Sequence, residues 1–267
     1  MRADVRSLLA CPACRGSLEW FGEPTDVDSG GVFVCLACRL PYPVHRGIPE
    51  FVDPRRVGGL NGRLAAMYDV GSWFYRALSK PTFALIGMRE AEARAQITDQ
   101  LRPNGGRVLE VSIGPGVNLP HLVGRPDVGD IVGLDISRGQ LLRCASYARR
   151  KGWPVDLVLG NAERLPFADD SFSAVFHIGG INFFDDKAAA LAELARVARP
   201  GTRVLVADET ERGARAYEKL IPGFARLFDA SRAAVAPPVA DLPAGVADVD
   251  VREMWNGWLY CLAFTVR

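Results

Sequence analysis

Long apolar runs are missing from this sequence. No stretch of about 18 apolar residues occurs, so no helical membrane span is expected. No continuous apolar segment precedes the first cysteine, so no secretory leader is expected either. An excess of charge of one sign is also missing. The formal net charge is +1 over 267 residues, and no overall field draws the chain to nucleic acid or to an anionic membrane. Histidine is scarce, at 3 residues, which makes each one a candidate to be accounted for. Long repeats and low-complexity tracts are absent. What is there, 49% hydrophobic and 24% charged residues, suits one medium-sized domain and a small satellite. The run Arg149-Arg150-Lys151 reads as a solvated helix end.

Four of the six cysteines fall in two close pairs, Cys11-Pro12-Ala13-Cys14 and Cys35-Leu36-Ala37-Cys38, with 20 residues between them. In a chain without a leader such pairs are metal ligands rather than disulfides, and the expected location is cytoplasmic. Two Cys-x-x-Cys knuckles can set four thiolates tetrahedrally around Zn2+. Sulfur ligands suit zinc or iron, and a segment this small favours zinc in a structural site with no open position. Cys144 and Cys261 lie outside the pattern and read as ordinary buried thiols.

Turn residues divide the chain into three regions: 1–55 with the cysteines, 56–103, and 104–267. In the second, Leu64, Met67, Phe74 and Leu78 recur at helical spacing, and Pro81 separates two helices. In the third, short apolar strands alternate with helices, which predicts a parallel sheet with right-handed crossovers. Strands are expected at Val108–Val111, Ile131–Asp135, Val155–Leu159, Ala174–Ile178 and Arg203–Ala207. Helices are expected at Ser137–Lys151, capped by Ser137, at Lys187–Ala198, and at Glu211–Ala230. Val249–Trp255 and Trp258–Val266 flank Asn256-Gly257, a hairpin signal. The fold class is α/β: a Rossmann-like seven-stranded sheet, parallel with a C-terminal antiparallel hairpin, plus a small N-terminal zinc ribbon.

The first of these strands runs into Glu110-Val111-Ser112-Ile113-Gly114-Pro115-Gly116. Glycines at the carboxyl end of a parallel strand let the backbone approach a ligand. Leu119 stands where a dinucleotide fingerprint has its third glycine, so that motif is excluded. Asp135, 19 residues after Gly116 and at the end of the second strand, can accept hydrogen bonds from both hydroxyls of a ribose. Gly160-Asn161-Ala162-Glu163-Arg164-Leu165-Pro166-Phe167 and Asp170-Ser171-Phe172 complete the set.

In that order, over residues 104–208, the chain resembles the class I S-adenosylmethionine-dependent methyltransferases, in particular the ubiquinone and menaquinone biosynthesis branch. The resemblance implies that Glu110, Ser112, Gly114 and Gly116 wall the methionine part of S-adenosylmethionine and that Asp135 binds the ribose. It implies that Ile136 packs on the adenine, that Asn161 faces the adenine amino group, and that Ala162 contacts the ring. Ser112 replaces the family's first glycine and Asn161 its usual Asp. The strand-four end, His177-Ile178-Gly179-Gly180, would face the reactive end of the cofactor. His177 is a candidate general base, with cofactor contact and a structural role as alternatives. Tyr68 is a further candidate for cofactor contact. Asp208-Glu209-Thr210 reads first as a helix cap and second as part of the cleft mouth. Residues 5–53, with Leu8-Leu9-Ala10-Cys11-Pro12 and Leu40-Pro41-Tyr42-Pro43-Val44, resemble the small zinc-ribbon subunits that activate tRNA and protein methyltransferases.

The expected activity is methyl transfer to a small, partly apolar acceptor such as a secondary metabolite, quinone or lipid. Two alternatives stand beside it: an RNA base methyltransferase, which the balanced charge disfavours, and a non-catalytic cofactor-binding scaffold that recruits a protein partner.

Overall fold

The computed structural model describes residues 1–22, 30–52, 87, 89–220 and 234–267, with no side chains for 217–220. Tyr68, the helical pattern of residues 60–86 and the end of the helix expected at Glu211–Ala230 lie outside the described residues.

A single helical turn, Ala3–Arg6, leads into four short strands: β1 (Leu18–Gly22), β2 (Gly31–Cys35), β3 (Pro41–His45) and β4 (Ile48–Pro49). They form one antiparallel sheet in the order β1-β2-β3-β4. After a helix at Glu90–Thr98 come β5 (Val108–Val111), β6 (Ile131–Asp135), β7 (Asp156–Leu159), β8 (Ala174–Ile178), β9 (Arg203–Glu209), β10 (Val246–Met254) and β11 (Leu259–Val266). These pair in the order β10-β11-β9-β8-β5-β6-β7, with β5 to β9 parallel and β11 antiparallel to both its neighbours. Helices Arg138–Lys151 and Lys187–Val197 make crossovers, and Glu211–Leu220 follows β9. Ser137 caps the first of them, its side chain accepting from Gln140 N at 3.2 Å.

Pleating divides the core between two faces. Val175, Val204 and Val206 pack in one cluster, and Phe176, Leu205 and Ala207 in the other. β9 runs two residues beyond the expected end because Tyr260 and Leu259 of β11 pair with Asp208 and Glu209. The cross-strand ladder, rather than local propensity, sets where that strand stops.

The cysteine-bearing sheet closes one edge of the large sheet. Phe51 N donates to Leu159 O at 2.7 Å, and Glu50 bridges Leu159 in parallel fashion. Leu9 bridges Phe167, with Ala10 N donating to Pro166 O and Ala168 N to Leu8 O. Val5, Leu9, Phe33, Tyr42 and Phe51 share a core with Val158, Leu165 and Phe167. Arg2 pairs with buried Asp156 at 2.7 Å. An exposed β7 edge would leave a row of unpaired backbone groups, and this docking covers it.

Candidate cofactor cleft and cysteine cluster

β5 ends in a turn that carries three residues with left-handed backbone: Ser112 (φ 61), Gly114 (φ 55) and Gly116 (φ 76). Two of them are glycine for different reasons. A Cβ on Gly114 would meet no atom within 4 Å, because the position faces the open cleft. A Cβ on Gly116 would lie 2.8 Å from Cys144 Sγ and from Leu119 Cδ1. Gly116 therefore serves close packing of turn against helix and is not in the cleft wall, where the resemblance had put it. Ser112 occupies the left-handed region as a residue with a Cβ, a conformation that costs about 1–2 kcal/mol.

β6 delivers Asp135 beside this turn. Gly114 N donates to Asp135 Oδ2 at 2.8 Å and Ser137 N to Oδ1 at 2.8 Å. The side chain is 7% exposed and lines the cleft with Ile136. The strand-end acid and the glycine turn are thus one hydrogen-bonded unit.

Behind the turn, Asn118 Nδ2 donates to Glu110 Oε1 at 2.7 Å, and Arg94 donates to Asn118 Oδ1 at 3.1 Å. Arg94 also pairs with Glu90 at 2.9 Å. Glu110 is fully buried and its Oε2 has no hydrogen-bond partner among the described residues. Burial pushes its carboxyl up to about 8, partly offset by Asn118 and Arg94. Glu110 does not line the cleft itself; Asn118, to which it is bonded, does. Arg94, which reaches the cleft wall, was not singled out from the sequence. Its signal was an arginine on the buried stripe Ala93, Arg94, Ile97 and Thr98 of its helix.

The opposite wall comes from β8 and β9. Ile178, Gly179, Gly180, Phe183, Phe184 and Glu209 line it. The empty space of the cleft, its open mouth included, is about 900 Å³. His177 does not line it. The ring is fully buried on the Val175 side of β8, with Nδ1 3.1 Å from Val111 O and Phe184 packed edge-on. Burial lowers its pKa. Asn161 and Ala162 do not line the cleft either. The Asn161 Oδ1 accepts from Glu163 N at 2.9 Å, closing its own turn, and Ala162 is buried.

Of the Asp208-Glu209-Thr210 trio, the capping role falls to Thr210, whose hydroxyl accepts from Gly213 N at 3.3 Å. Asp208 is completely buried. It accepts from Gly180 N at 3.2 Å, Asn182 N at 2.7 Å and Glu209 N at 2.9 Å. Burial and the adjacent Asp208 carboxylate push the Glu209 carboxyl well above the usual range.

The sulfurs of Cys11, Cys14, Cys35 and Cys38 all lie within 4.8 Å of one another. The two knuckles repeat one geometry: Arg15 N donates to Cys11 O and Arg39 N to Cys35 O, and both arginines are left-handed. Tyr42 OH sits 3.0 Å from Cys11 Sγ. Four convergent sulfurs with no carboxylate or imidazole suit a soft tetrahedral ion. Cys144 and Cys261 are buried singly elsewhere.

Comparison with known proteins matches both parts. A family model described as a methyltransferase domain matches residues 109–206, and one described as Trm112p-like protein matches residues 5–47. A demethylmenaquinone methyltransferase of Beutenbergia cavernae is 33% identical over 156 residues, 58% of this chain and 59% of that one. The O-methyltransferase rstn1 of Aspergillus nomiae is 37% identical over 106 residues, covering 39% of this chain and 47% of that one. The chain spans about half the length of the curated relatives it matches. A solved chain from the complex between the Haloferax volcanii Trm112 methyltransferase activator and a protein described as a methyltransferase aligns with a TM-score of 0.56. It is 18% identical over 74% of this chain and 96% of that one, a likeness of fold. Residues 109–206 thus match the methyltransferase domain family and residues 5–47 the Trm112p-like family, within one polypeptide.

Proposed function

We propose that the chain transfers a methyl group from S-adenosylmethionine to a small, partly apolar acceptor. The observation that carries this reading is the unit formed by Asp135 and Gly114, 2.8 Å apart, at the mouth of a cleft whose far wall is Phe183, Phe184 and two glycines. Asp135 would hold the ribose hydroxyls and Ile136 the adenine face. Arg94 would meet the carboxylate of the amino-acid end, with Glu110 acting behind it through Asn118. The bound donor supplies an electrophilic methyl, and much of the rate comes from aligning the acceptor behind it. Catalytic use of His177 is not favoured, since its ring faces the interior. Adenine contact through Asn161 and Ala162 is likewise not favoured.

In this reading residues 1–55 form the zinc module and 104–267 the transfer domain, and 56–103, of which 56–86 and 88 lie outside the described residues, link the two. Zn2+ on the four cysteines has a structural role, and their thiols fit a cytoplasmic setting. Among the described residues no helix is long and apolar enough to cross a membrane.

The test is to incubate the full chain with methyl-labelled S-adenosylmethionine and a cell extract, then partition the products. Label in the organic-soluble small-molecule fraction supports the reading. Label in RNA, favoured only by the Trm112p-like module, supports the alternative.

A further inference from the structure

We propose that Glu209 is a catalytic residue that takes a proton from the acceptor, and that the acceptor carries an acidic hydroxyl on a flat apolar frame, a phenol or an enol. This rests on the methyl-transfer reading. The argument begins with position. Glu209 closes β9 and lines the cleft beside Gly179, Gly180 and Phe183. The other ionisable side chains in that lining, among the described residues, are Asp135 and Arg94. Asp135 is engaged by Gly114 and Ser137, and Arg94 by Glu90 and Asn118, at the cofactor end.

The backbone under Glu209 is held firmly. Its N–H donates to Asp208, its carbonyl accepts from Asn182 Nδ2 at 3.0 Å, and it pairs with Leu259. Asp208 at the same time holds Gly180 and Asn182, and the Tyr260 hydroxyl donates to Asn182 Oδ1 at 3.2 Å. One buried carboxylate thus fixes both the glycine floor and the acid beside it. Thr210 already caps the next helix, so Glu209 has no capping duty. A Cβ on Gly179 would meet nothing within 4 Å, which leaves space for a flat ring against Phe183 and Phe184.

The ionisable groups close to Glu209 are Asp208 on its own strand and Tyr260 from β11, while Arg94 and Asp135 line the same cleft. Burial, then Asp208, whose side chain hydrogen-bonds that of Glu209, raise the Glu209 carboxyl well above its ordinary range. In the step itself the acceptor O–H bond breaks and an O–H bond forms on the Glu209 carboxylate. The electron pair stays on the acceptor oxygen, which becomes the nucleophile, and Glu209 later returns the proton to solvent.

The experiment uses the full chain, methyl-labelled S-adenosylmethionine and a series of substituted phenols and naphthols of graded acidity. Rates are followed across pH for the wild type, Glu209→Gln and Glu209→Asp, with S-adenosylhomocysteine binding measured on the same samples. The wild type is expected to methylate members of the series, with kcat/KM rising with pH through the Glu209 carboxyl. Glu209→Gln should lower kcat by about 100-fold or more, lose that limb, and recover most on phenols already ionised. Glu209→Asp should fall between the two. Both variants should bind S-adenosylhomocysteine within about twofold of wild type, a difference well under 1.4 kcal/mol. An unchanged rate and pH limb in Glu209→Gln overturns the proposal. So does a wild type that binds S-adenosylhomocysteine but methylates no phenol. Absence of that binding instead refutes the methyl-transfer reading, and this inference falls with it.

Discussion

Asp135 Oδ2 accepts a 2.8 Å hydrogen bond from the Gly114 backbone N–H, so the carboxylate at the end of β6 also holds the turn at the end of β5. The residue expected to grip the sugar is therefore the one that shapes the loop beside it. If Asp135 grips the sugar as proposed, ligand affinity and loop order are coupled through a single side chain.

The two turn glycines should separate binding from stability. Gly114→Ala places a methyl in the open cleft and should weaken S-adenosylhomocysteine binding about tenfold or more, with a stability loss of about 1–2 kcal/mol from left-handed strain. Gly116→Ala drives a methyl against Cys144 and Leu119. It should lose about 1–3 kcal/mol more through overpacking, part of it restored by Cys144→Ala. Titration calorimetry and denaturant unfolding on the same variants check both halves. Equal effects from the two glycines would count against the division of roles.

Glu110 should trade stability for affinity. Its folded carboxyl is pushed up to about 8 against an ordinary value of 4.5. Between those values the folded chain holds a proton that the unfolded chain has released, so the ligand-free protein loses stability as pH rises and the loss is complete above about 8. Glu110→Gln keeps the shape and the Asn118 bond without the charge. At pH about 8.5 it should be more stable than wild type, on the order of a few kcal/mol, yet bind S-adenosylhomocysteine more weakly. Stability curves that run parallel across pH would remove the buried carboxyl from the account.

Metal removal should be felt across the boundary between the two sheets. The chain around Cys11 is bonded to Pro166 and Ala168, and Phe51 to Leu159. We expect about one zinc per chain, as four thiolates bind one ion. Chelation should lower the thermal midpoint and weaken S-adenosylhomocysteine binding together. Elemental analysis and thermal scans with and without chelator read this out, and a protein indifferent to chelation would contradict it.

The strands, the crossover helices and the hairpin were legible because buried parallel strands are short and apolar and because Ser137 and Asn256-Gly257 punctuate the chain. Asp135 and Gly114 were legible for the same reason: they sit at strand ends, where the topology brings them together. Residues whose role depends on which way a side chain turns were not. His177 lies on an expected strand, but pleating sends it to the Val175 face, where it is fully buried behind Phe184 rather than lining the cleft. Glu209 looked like a helix cap until pairing with β11 extended β9 by two residues and left Thr210 to cap. Arg94 reaches the cleft only because its helix packs over the turn, a long-range arrangement that local periodicity does not encode. The docking of Leu9 on Phe167 is long-range in the same sense.

The most direct measurement is calorimetric titration of S-adenosylhomocysteine into the wild type and into Asp135→Ala, with folding of both checked by circular dichroism. The account predicts one site in the wild type and a loss of at least about tenfold in affinity, 1.4 kcal/mol, in the variant. A folded Asp135→Ala that binds as tightly as the wild type, or a wild type that binds nothing, would contradict it.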